Sequence, residues 1–383
     1  MTYHRETRAV RLTAPDPGRP LAVPLYQTAN FVFDEPAAVG AAMTGPESFV
    51  YSGYANPTSR ALEDAMASLE GGVAAFATGS GTGAVNAVFH SLLRHGDHVI
   101  AQRALYGGTV SVLNNLVDRW GLEVTYIDGV APDELRAAIR PTTRLLHLET
   151  IANPVGHVPD MPALAAVARD AGLVTVVDNT FATPLLCRPI EHGADIVIHS
   201  ATKYLGGHHD VIGGVAVFAD RERYLAAWQH AVKLGVMIDP FAAWLIVRGL
   251  KTLPLRVERQ CSNAVFLAEH LAAHPRVGAV HFPGLPSHPS HERAAKLLSG
   301  YGGTVAFDVP DALVFMRALK LVLNAPSLGG TETIVMHPAT TSHRSLSDDQ
   351  MRAAGVGPNQ VRIALGVEHP DDIWADVAQA LDM

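Results

Sequence analysis

Between residues 57 and about 240, helical stretches alternate with short apolar runs, and this alternation is the strongest constraint on the fold. The helical stretches are Ser59–Glu70, Gly83–Arg94, Tyr106–Trp120 and Met161–Ala171. The apolar runs are Ala74–Ala77, His98–Ala101, Glu123–Ile127, Arg144–Leu148, Val174–Val177 and Ile196–His199. Apolar strands separated by helices are typical of a parallel sheet that is covered on both faces. The sequence therefore predicts an α/β domain that binds ligands at the carboxyl ends of its strands.

The pattern differs on either side of this region. Residues 1–55 are expected to form an irregular arm, because Pro15, Pro17, Gly18, Pro20 and Pro24 interrupt any helix. The arm is also rich in aromatic residues, so we expect it to pack against other protein surface. After residue 240 come a long helical stretch, Phe241–His274, the segments Gly278–Phe282, Gly303–Asp308 and Leu313–Leu321, and a last helix from about Pro370. We predict an arm (1–55), an α/β domain (56–240) and a smaller C-terminal α+β domain (241–383).

Composition limits the partners. The net charge is −8 and no face is lined with Lys and Arg, so no nucleic acid partner is expected. No apolar run is long enough to span a membrane, and the polar Met1–Arg11 segment does not resemble a signal peptide. Two cysteines, Cys187 and Cys261, predict a reducing, cytoplasmic location. Charged residues are only 17 % of the chain, which favours an oligomer that buries surface between subunits.

Two of the apolar runs end in residues suited to chemistry. Val174–Val177 leads into Asp178, whose carboxylate is expected in the ligand crevice, although Asp-Asn-Thr also begins helices well. Ile196–His199 leads into Ser200, Thr202 and Lys203. Burial lowers the pKa of a lysine and leaves a nucleophilic amine that can form an imine. The alternative is that Lys203 is an ordinary solvated loop lysine. The hydroxyl groups of Ser200 and Thr202 beside it are suited to phosphate oxygens.

A glycine-rich turn, Gly79–Ala84, lies between a strand and a helix and contains Ser80, Gly81 and Thr82. Such a turn presents free N–H groups to a phosphate at a helix N-terminus. It also matches a dinucleotide-binding pattern, so an NAD-dependent oxidoreductase stays an alternative. A lysine, a carboxylate and a phosphate-binding turn together fit pyridoxal 5′-phosphate (PLP), which needs all three. No metal is expected, since His208, His209 and Asp210 are adjacent on a turn without a further ligand.

The segment from Asp178 through Lys203 to Asp210 resembles the active-site signature of the Cys/Met-metabolism PLP enzymes. These include cystathionine γ-synthase, cystathionine γ-lyase, methionine γ-lyase and O-acetylhomoserine sulfhydrylase. Further matching stretches occur along nearly the whole chain: Tyr51–Thr58, Gly79–Gly83, Leu105–Gly108, Glu149–Pro154, Arg248–Thr252, Ser327–Gly330 and Val361–Arg362. The resemblance implies the fold type I (aspartate-aminotransferase type) architecture and a homotetramer, a dimer of dimers with shared active sites.

The resemblance also implies a role for each matching residue. Lys203 would form the imine and move protons, Asp178 would pair with the pyridinium, and Tyr106 would stack on the ring and act as general acid or base. Phosphate would be held by Ser80, Gly81, Thr82, Ser200 and Thr202, and by Tyr51 of the neighbouring subunit. The substrate carboxylate would be bound by Arg362, Asn153 and Ser327. A further alternative is a catalytically inactive binding protein that keeps the fold. The presence of all these residues argues against it.

One position departs from the pattern of most relatives, and three further sites are markers of subgroups within the family. Most relatives have an arginine that binds phosphate where this chain has Gly53, so we expect PLP to dissociate more readily here. Gly108, Lys233-Leu234 and Pro326 do not together select one subgroup of the family. The first expectation is γ-elimination from methionine or cystathionine, giving an α-keto acid, ammonia and a thiol. The alternative is γ-replacement, as in a cystathionine γ-synthase or a homoserine-ester sulfhydrylase.

Overall fold

The arm is more regular than its prolines predict. A computed structural model, which describes residues 3–12, 20–344 and 347–383, contains two short helices here, α1 (Arg5–Val10) and α2 (Pro36–Ala42). The expectation of an irregular arm is therefore wrong for these segments. Pro36 is the first residue of α2, a position where its missing N–H costs nothing. Pro15, Pro17 and Gly18 lie outside the described residues.

The arm packs against the rest of the chain, as its aromatic content predicted. The indole of Trp244 donates to the Val23 carbonyl over 3.0 Å. The indole of Trp228 donates to the Tyr54 carbonyl over 3.2 Å. Other side chains of the arm stay in solvent, and Val32 is 97 % exposed. The arm is thus attached to the body without having a core of its own.

The region after the arm alternates between helix and strand, as expected, with ends that differ from the predicted ones by a few residues. Its elements are α3 (Pro57–Glu70), β1 (Ala74–Thr78), α4 (Gly81–Leu92), β2 (His98–Gln102), α5 (Gly107–Trp120), β3 (Glu123–Ile127), α6 (Pro132–Ala138), β4 (Thr143–Glu149), α7 (Met161–Asp170), β5 (Val174–Asp178), α8 (Thr183–Leu186), β6 (Ile196–Ser200) and β7 (Gly214–Phe218). The seven strands form one sheet in the order β1-β7-β6-β5-β4-β2-β3.

The sheet is not wholly parallel, which corrects the prediction. Strand β7 runs antiparallel to both of its neighbours, β1 and β6. This strand is missing from the predicted set because it begins at the second of two glycines and is not preceded by a helix. Register places Ser200 opposite Gly214, so the loop that carries Lys203 is closed at its base by the β6–β7 ladder.

Both faces of the sheet are buried, as the apolar strands required. Ile196 and Ile198 pack in one core layer, whereas Val197 points into the other. This alternation follows from the two-residue repeat of a strand. Helices cover both layers, so a ligand can reach the sheet only at the strand ends, where the polar groups lie.

Helix α9 (Arg221–Leu234) completes the α/β region, with its buried face in the same core layer as Ile196 and Ile198. The C-terminal region has a second sheet. Its elements are α10 (Pro240–Leu250), α11 (Leu253–Ala273), β8 (Val280–His281), α12 (His291–Leu297), β9 (Thr304–Asp308), α13 (Ala312–Ala318), β10 (Leu323–Asn324), β11 (Ile334–Met336), α14 (Asp348–Ala353), β12 (Gln360–Ala364) and α15 (Pro370–Leu381). The strand order is β10-β11-β12-β9-β8, with β10 and β11 parallel and the other pairs antiparallel.

Two predictions for this region need correction. The helical stretch Phe241–His274 is two helices, α10 and α11, separated at Lys251 and Thr252. Pro254 is near the start of α11 and, without an N–H, cannot continue the preceding helix. Strands β11 and β12 lie in segments for which no element was predicted. Within the described residues, no helix combines the length and apolar character of a membrane span.

Candidate active site

A cavity of about 440 Å³ lies between the two sheets, at the carboxyl ends of β4, β5 and β6. Its lining includes every predicted site residue except Tyr51: Ser80, Gly81, Thr82, Tyr106, Asn153, Asp178, Ser200, Thr202, Lys203, Ser327 and Arg362. This volume is typical of a small-molecule site. Residues that are far apart in sequence therefore converge on one place.

The glycine-rich turn forms the N-terminus of α4. Ser80 is the N-cap, and its hydroxyl accepts from the Gly83 N–H over 3.0 Å. The N–H groups of Gly81 and Thr82 have no acceptor in the part of the chain that the structure describes. A Cβ atom at Gly81 would lie 2.8 Å from the Ser200 Cβ, so only glycine allows these two segments to approach. The arrangement offers an anion free donors at a helix end.

Lys203 lies in the loop after β6, partly buried. Its Nζ donates to the Ser327 Oγ over 2.6 Å. Burial, and secondarily the positive charge of Arg362, lowers the pKa of Lys203 to about 8. A much larger fraction of this amine is neutral near pH 8 than for an exposed lysine. The site thus supplies the nucleophilic amine that the sequence predicted.

The hydroxyl of Thr202 does not point freely into the cavity. It donates to the Gly213 carbonyl over 3.2 Å and accepts from the Gly213 N–H over 3.0 Å. The Ser200 N–H donates to the Thr180 Oγ1 over 2.8 Å. These bonds fix the two ends of the lysine loop against neighbouring strands and loops.

Two carboxyl groups stand side by side on neighbouring strands. Asp178 ends β5 and Glu149 ends β4, and the two residues are register partners. Burial raises the pKa of Asp178, an effect opposed by its hydrogen bonds from Thr180. Burial first, and then the charge of Asp178, raises the pKa of Glu149 to about 8. A cation beside Asp178, such as a pyridinium, would favour its ionised form.

The opposite side of the cavity holds a buried guanidinium. Arg362, on β12, is 2 % exposed. Its Nη1 donates to the Asn153 Oδ1 and its Nη2 to the Ser327 carbonyl, each over 2.6 Å. Ser327 has a φ of 105°, which a non-glycine residue rarely adopts. The Arg362 Nε is buried with no hydrogen-bond partner among the described residues, so this cation has capacity for a further anion.

Tyr106 is the N-cap of α5 and is 44 % exposed in the cavity. Its backbone N–H donates to the Glu149 Oε1 over 2.6 Å. A Cβ atom at Gly108 would lie 2.3 Å from the Tyr106 ring. A larger residue at position 108 would therefore displace the ring, so the glycine helps to set the ring position.

Tyr51 is the one predicted site residue that does not line the cavity of its own chain. It is 48 % exposed, and its ring meets that of Tyr54 edge-on with centroids 6.1 Å apart. A Cβ atom at Gly53 would lie 2.5 Å from the Tyr51 ring. The assignment of Tyr51 to a neighbouring subunit's site stays a prediction.

Sequence reasoning missed several residues that line the cavity. Glu149 is the most prominent, and Thr180, Arg344 and Met336 also contribute. Glu149 carries the same signal as Asp178, an acid at the end of an apolar strand, and lies in a stretch that matched the family. Arg344 and Met336 follow no such pattern, because β11 of the second sheet and the turn after it bring them to the cavity.

The residues present fit PLP. An amine that burial makes nucleophilic, a buried carboxyl group and a helix end with free N–H groups supply the three contacts that PLP requires. The strand order, with β7 antiparallel, differs from that of the dinucleotide-binding fold, so the NAD alternative does not agree with the structure. Within the described residues, no three His, Cys, Asp or Glu side chains form a candidate metal site.

Comparisons with known proteins agree with this chemistry. The family model described as Cys/Met metabolism PLP-dependent enzyme matches residues 6–382. The L-methionine gamma-lyase of Porphyromonas gingivalis is 42 % identical over 94 % of this chain and 92 % of its own length. The cystathionine gamma-lyase of Bacillus subtilis is 40 % identical over 94 % of each chain.

A solved structure gives the same result for the fold. The cystathionine gamma synthase of Xanthomonas oryzae, in complex with cystathionine, superimposes with a TM-score of 0.94. It is 33 % identical and covers 100 % of this chain and 98 % of its own. The fold is thus the predicted fold type I architecture of PLP-dependent enzymes. On its matched length, its fold and its site, this chain belongs to the Cys/Met metabolism PLP-dependent enzyme family.

Proposed function

We propose that this enzyme catalyses γ-elimination from a sulfur amino acid, methionine or cystathionine. Water is consumed, the Cγ–S bond breaks, and the products are an α-keto acid, ammonia and a thiol. Bound PLP would supply an electron sink for the carbanions that form beside it. The names of two relatives, a methionine gamma-lyase and a cystathionine gamma-lyase, support this proposal.

One observation carries the proposal: Ser327 contacts both the amine and the guanidinium. Its hydroxyl accepts from Lys203 and its carbonyl accepts from Arg362. Arg362, with Asn153, would hold the substrate α-carboxylate, which brings Cα next to the Lys203 amine. Lys203 would then take the α-proton and transfer protons along the substrate carbons. Tyr106, exposed in the same cavity, would serve as the second proton-transfer group.

The phosphate would lie at the other end of the cavity, on the free N–H groups of Gly81 and Thr82, with the hydroxyls of Ser80 and Ser200 nearby. Asp178 would face the pyridine nitrogen. The remaining lining is largely apolar and includes Val112, Ile212 and Met336. An apolar wall of this kind is suited to a thioether side chain.

The test is to incubate the purified holoenzyme with methionine or cystathionine and no added thiol. We expect release of 2-oxobutanoate and ammonia in equal amounts. The Lys203→Ala variant should release neither. If neither product appears, and a thioether amino acid forms only when a thiol acceptor and an activated homoserine are supplied, the proposal of an eliminating enzyme is wrong.

γ-Replacement is the second candidate, and a specific feature favours it. A second cavity of about 640 Å³ adjoins the first and shares Thr202, Ile212, Pro326 and Ser327 with it. This space offers room for an incoming thiol next to the first substrate. Consumption of an O-acylated homoserine with cysteine, to give cystathionine, would establish replacement.

For the assembly we propose a homotetramer of two dimers with shared active sites, acting in the cytoplasm, with the arm and the two following regions divided near residues 56 and 240. The exposed side chains of the arm support the shared site, and the free thiols of Cys187 and Cys261 support the location. Mixing Lys203→Ala subunits with Tyr51→Ala subunits should restore activity above that of either variant. No gain after denaturation and joint refolding would refute site sharing.

A further inference from the structure

The carboxyl group of Glu149 connects two parts of the cavity wall. Its Oε1 accepts from the Tyr106 N–H over 2.6 Å, and its Oε2 accepts from the Asn153 N–H over 3.3 Å. The residue is 4 % exposed and ends β4. Its own N–H donates to the Gln102 Oε1 over 3.1 Å, which fixes the backbone from which the side chain extends.

Tyr106 and Asn153, the two residues bonded to Glu149, have different roles in the proposed reaction. Tyr106 belongs to the loop after β2 and presents its ring to the cavity. Asn153 belongs to the loop after β4, and its Oδ1 accepts from Arg362 over 2.6 Å. One side chain thus fixes the spacing between the ring-stacking residue and the residue that orients the guanidinium.

We propose that Glu149 is a positioning residue, which sets the substrate-carboxylate subsite by holding the Asn153 backbone in register with Tyr106. Its role in turnover rests on the proposed function, whereas its effect on carboxylate binding does not. Two separate backbone donors must be satisfied at once, and both oxygens of the ionised carboxylate can accept. The same two N–H donors favour the ionised form, against the effect of burial on its pKa. The glutamine side chain has the same length but offers one oxygen and a second donor.

The side chain is buried, so the loss of either bond has a measurable cost. A buried N–H left without an acceptor destabilises its local arrangement, because it loses its hydrogen bond to water without a replacement. In Glu149→Gln, the amide oxygen is expected to keep the shorter bond, that from Tyr106. The amide NH₂ would then face the Asn153 N–H, donor against donor, and push Asn153 away from Arg362.

The first experiment compares Glu149→Gln with wild-type holoenzyme. We expect KM for the amino-acid substrate to rise about tenfold, kcat to change less than about threefold and PLP affinity to change less than about twofold. Glycine, which has the α-carboxylate but no γ-substituent, should also bind about tenfold more weakly, as measured by titrating the visible absorption band. Unchanged KM and unchanged glycine affinity would overturn the proposal.

Glu134→Gln is the matched control. The Glu134 carboxylate also accepts from a backbone N–H, that of Asp128, over 3.0 and 3.1 Å, but it lies on the exposed surface. This variant should behave as wild type in KM, glycine affinity and thermal unfolding. A tenfold loss of glycine affinity in the control would show that the effect is not specific to position 149, and would overturn the proposal.

A double-mutant cycle separates positioning from general structural support. Asn153→Ala removes the side chain through which Glu149 is proposed to act. In this background, Glu149→Gln should weaken glycine binding by less than about twofold more. Full additivity of the two losses would mean that Glu149 acts through another route, and would overturn the proposal.

Glu149→Asp keeps two acceptor oxygens at shorter reach and provides a second variant if the glutamine variant folds poorly. Its glycine affinity should fall less than about tenfold below that of wild type, and a larger loss would overturn the proposal. Failure of the proposed γ-elimination is distinguishable, because glycine titration reads the carboxylate subsite even if methionine and cystathionine are not turned over.

Discussion

The two ends of the cavity differ in how far the chain itself completes their hydrogen bonding. At the carboxylate end, Arg362 is buried and already bonded to Asn153 and Ser327. At the phosphate end, the N–H groups of Gly81 and Thr82 have no acceptor in the described chain. A buried cation needs protein acceptors before a ligand arrives, whereas a helix end at the rim can be hydrated.

This contrast predicts different effects for substitutions at the two ends. Substitutions at the carboxylate end should reduce both substrate affinity and the stability of the protein. Substitutions at the phosphate end should change cofactor affinity and leave the fold intact. Lys203 lies between the two ends, and its loss should remove the chemistry that depends on both.

The largest expected effect is therefore that of Lys203→Ala. Loss of the amine should lower kcat by about 10³-fold or more, because no other neutral amine lines the cavity in the described chain. The visible absorption band of the holoenzyme should also disappear, although PLP can still bind through its phosphate. Residual turnover above a tenth of wild type would contradict the assignment.

Arg362→Lys should produce the next largest effect. A lysine cannot replace two parallel guanidinium bonds, and it leaves the Asn153 Oδ1 or the Ser327 carbonyl without a donor. We expect kcat/KM to fall about 100-fold and the thermal unfolding midpoint to drop. A loss of activity without any loss of stability would break the contrast between the two ends. Ser200→Ala provides the comparison at the phosphate end, where PLP affinity should fall further than substrate affinity.

The pKa of Lys203, which lies between the two ends of the cavity, predicts how the rate of PLP uptake depends on pH. Because burial lowers this pKa to about 8, the neutral amine predominates above pH 8 and decreases about tenfold per pH unit below it. The rate at which apoenzyme takes up PLP should rise from pH 6 to about pH 8 and then level off. A rate that keeps rising beyond pH 10, as for an exposed lysine, would contradict the proposed burial effect.

The smallest effect is expected at Gly53. Gly53→Arg should tighten PLP binding about threefold, since an exposed ion pair with phosphate contributes up to about 1 kcal/mol. The new side chain must also displace the Tyr51 ring, which a Cβ atom at position 53 would approach to 2.5 Å. Gly53→Ala is the control, because it moves the ring without adding charge. Equal PLP affinity in the wild type and both variants would argue against a missing cation.

Site residues could be predicted from the sequence where one local pattern was enough to place them. Asp178 and Lys203 follow strands that are apolar on both faces, so their positions at the sheet edge follow from local sequence. Arg362 was placed only through family resemblance, because its strand β12 was not predicted. Strand β7 was missed since it returns antiparallel from the lysine loop, is not preceded by a helix and ends in an apolar residue.

Contacts between distant segments were beyond sequence reasoning. The bond from Arg362 to Asn153 joins two sheets, and nothing in either segment specifies it. The two hydrogen bonds of Glu149 likewise depend on where β2 and β4 end relative to each other. The break between α10 and α11 was readable from Pro254, but the helical pattern on both sides obscured it.

The antiparallel position of β7 has a consequence for engineering the enzyme. Because Ser200 and Gly214 are paired across the ladder, the lysine loop leaves the sheet and returns to it at the same point. Insertions at its exposed tip, residues 208–210, would lengthen the loop without shifting any strand register. Insertions within β6 or β7 would instead move side chains from one core layer to the other. The tip is therefore the place where a library of altered loops would preserve folding yield while varying access to the amine.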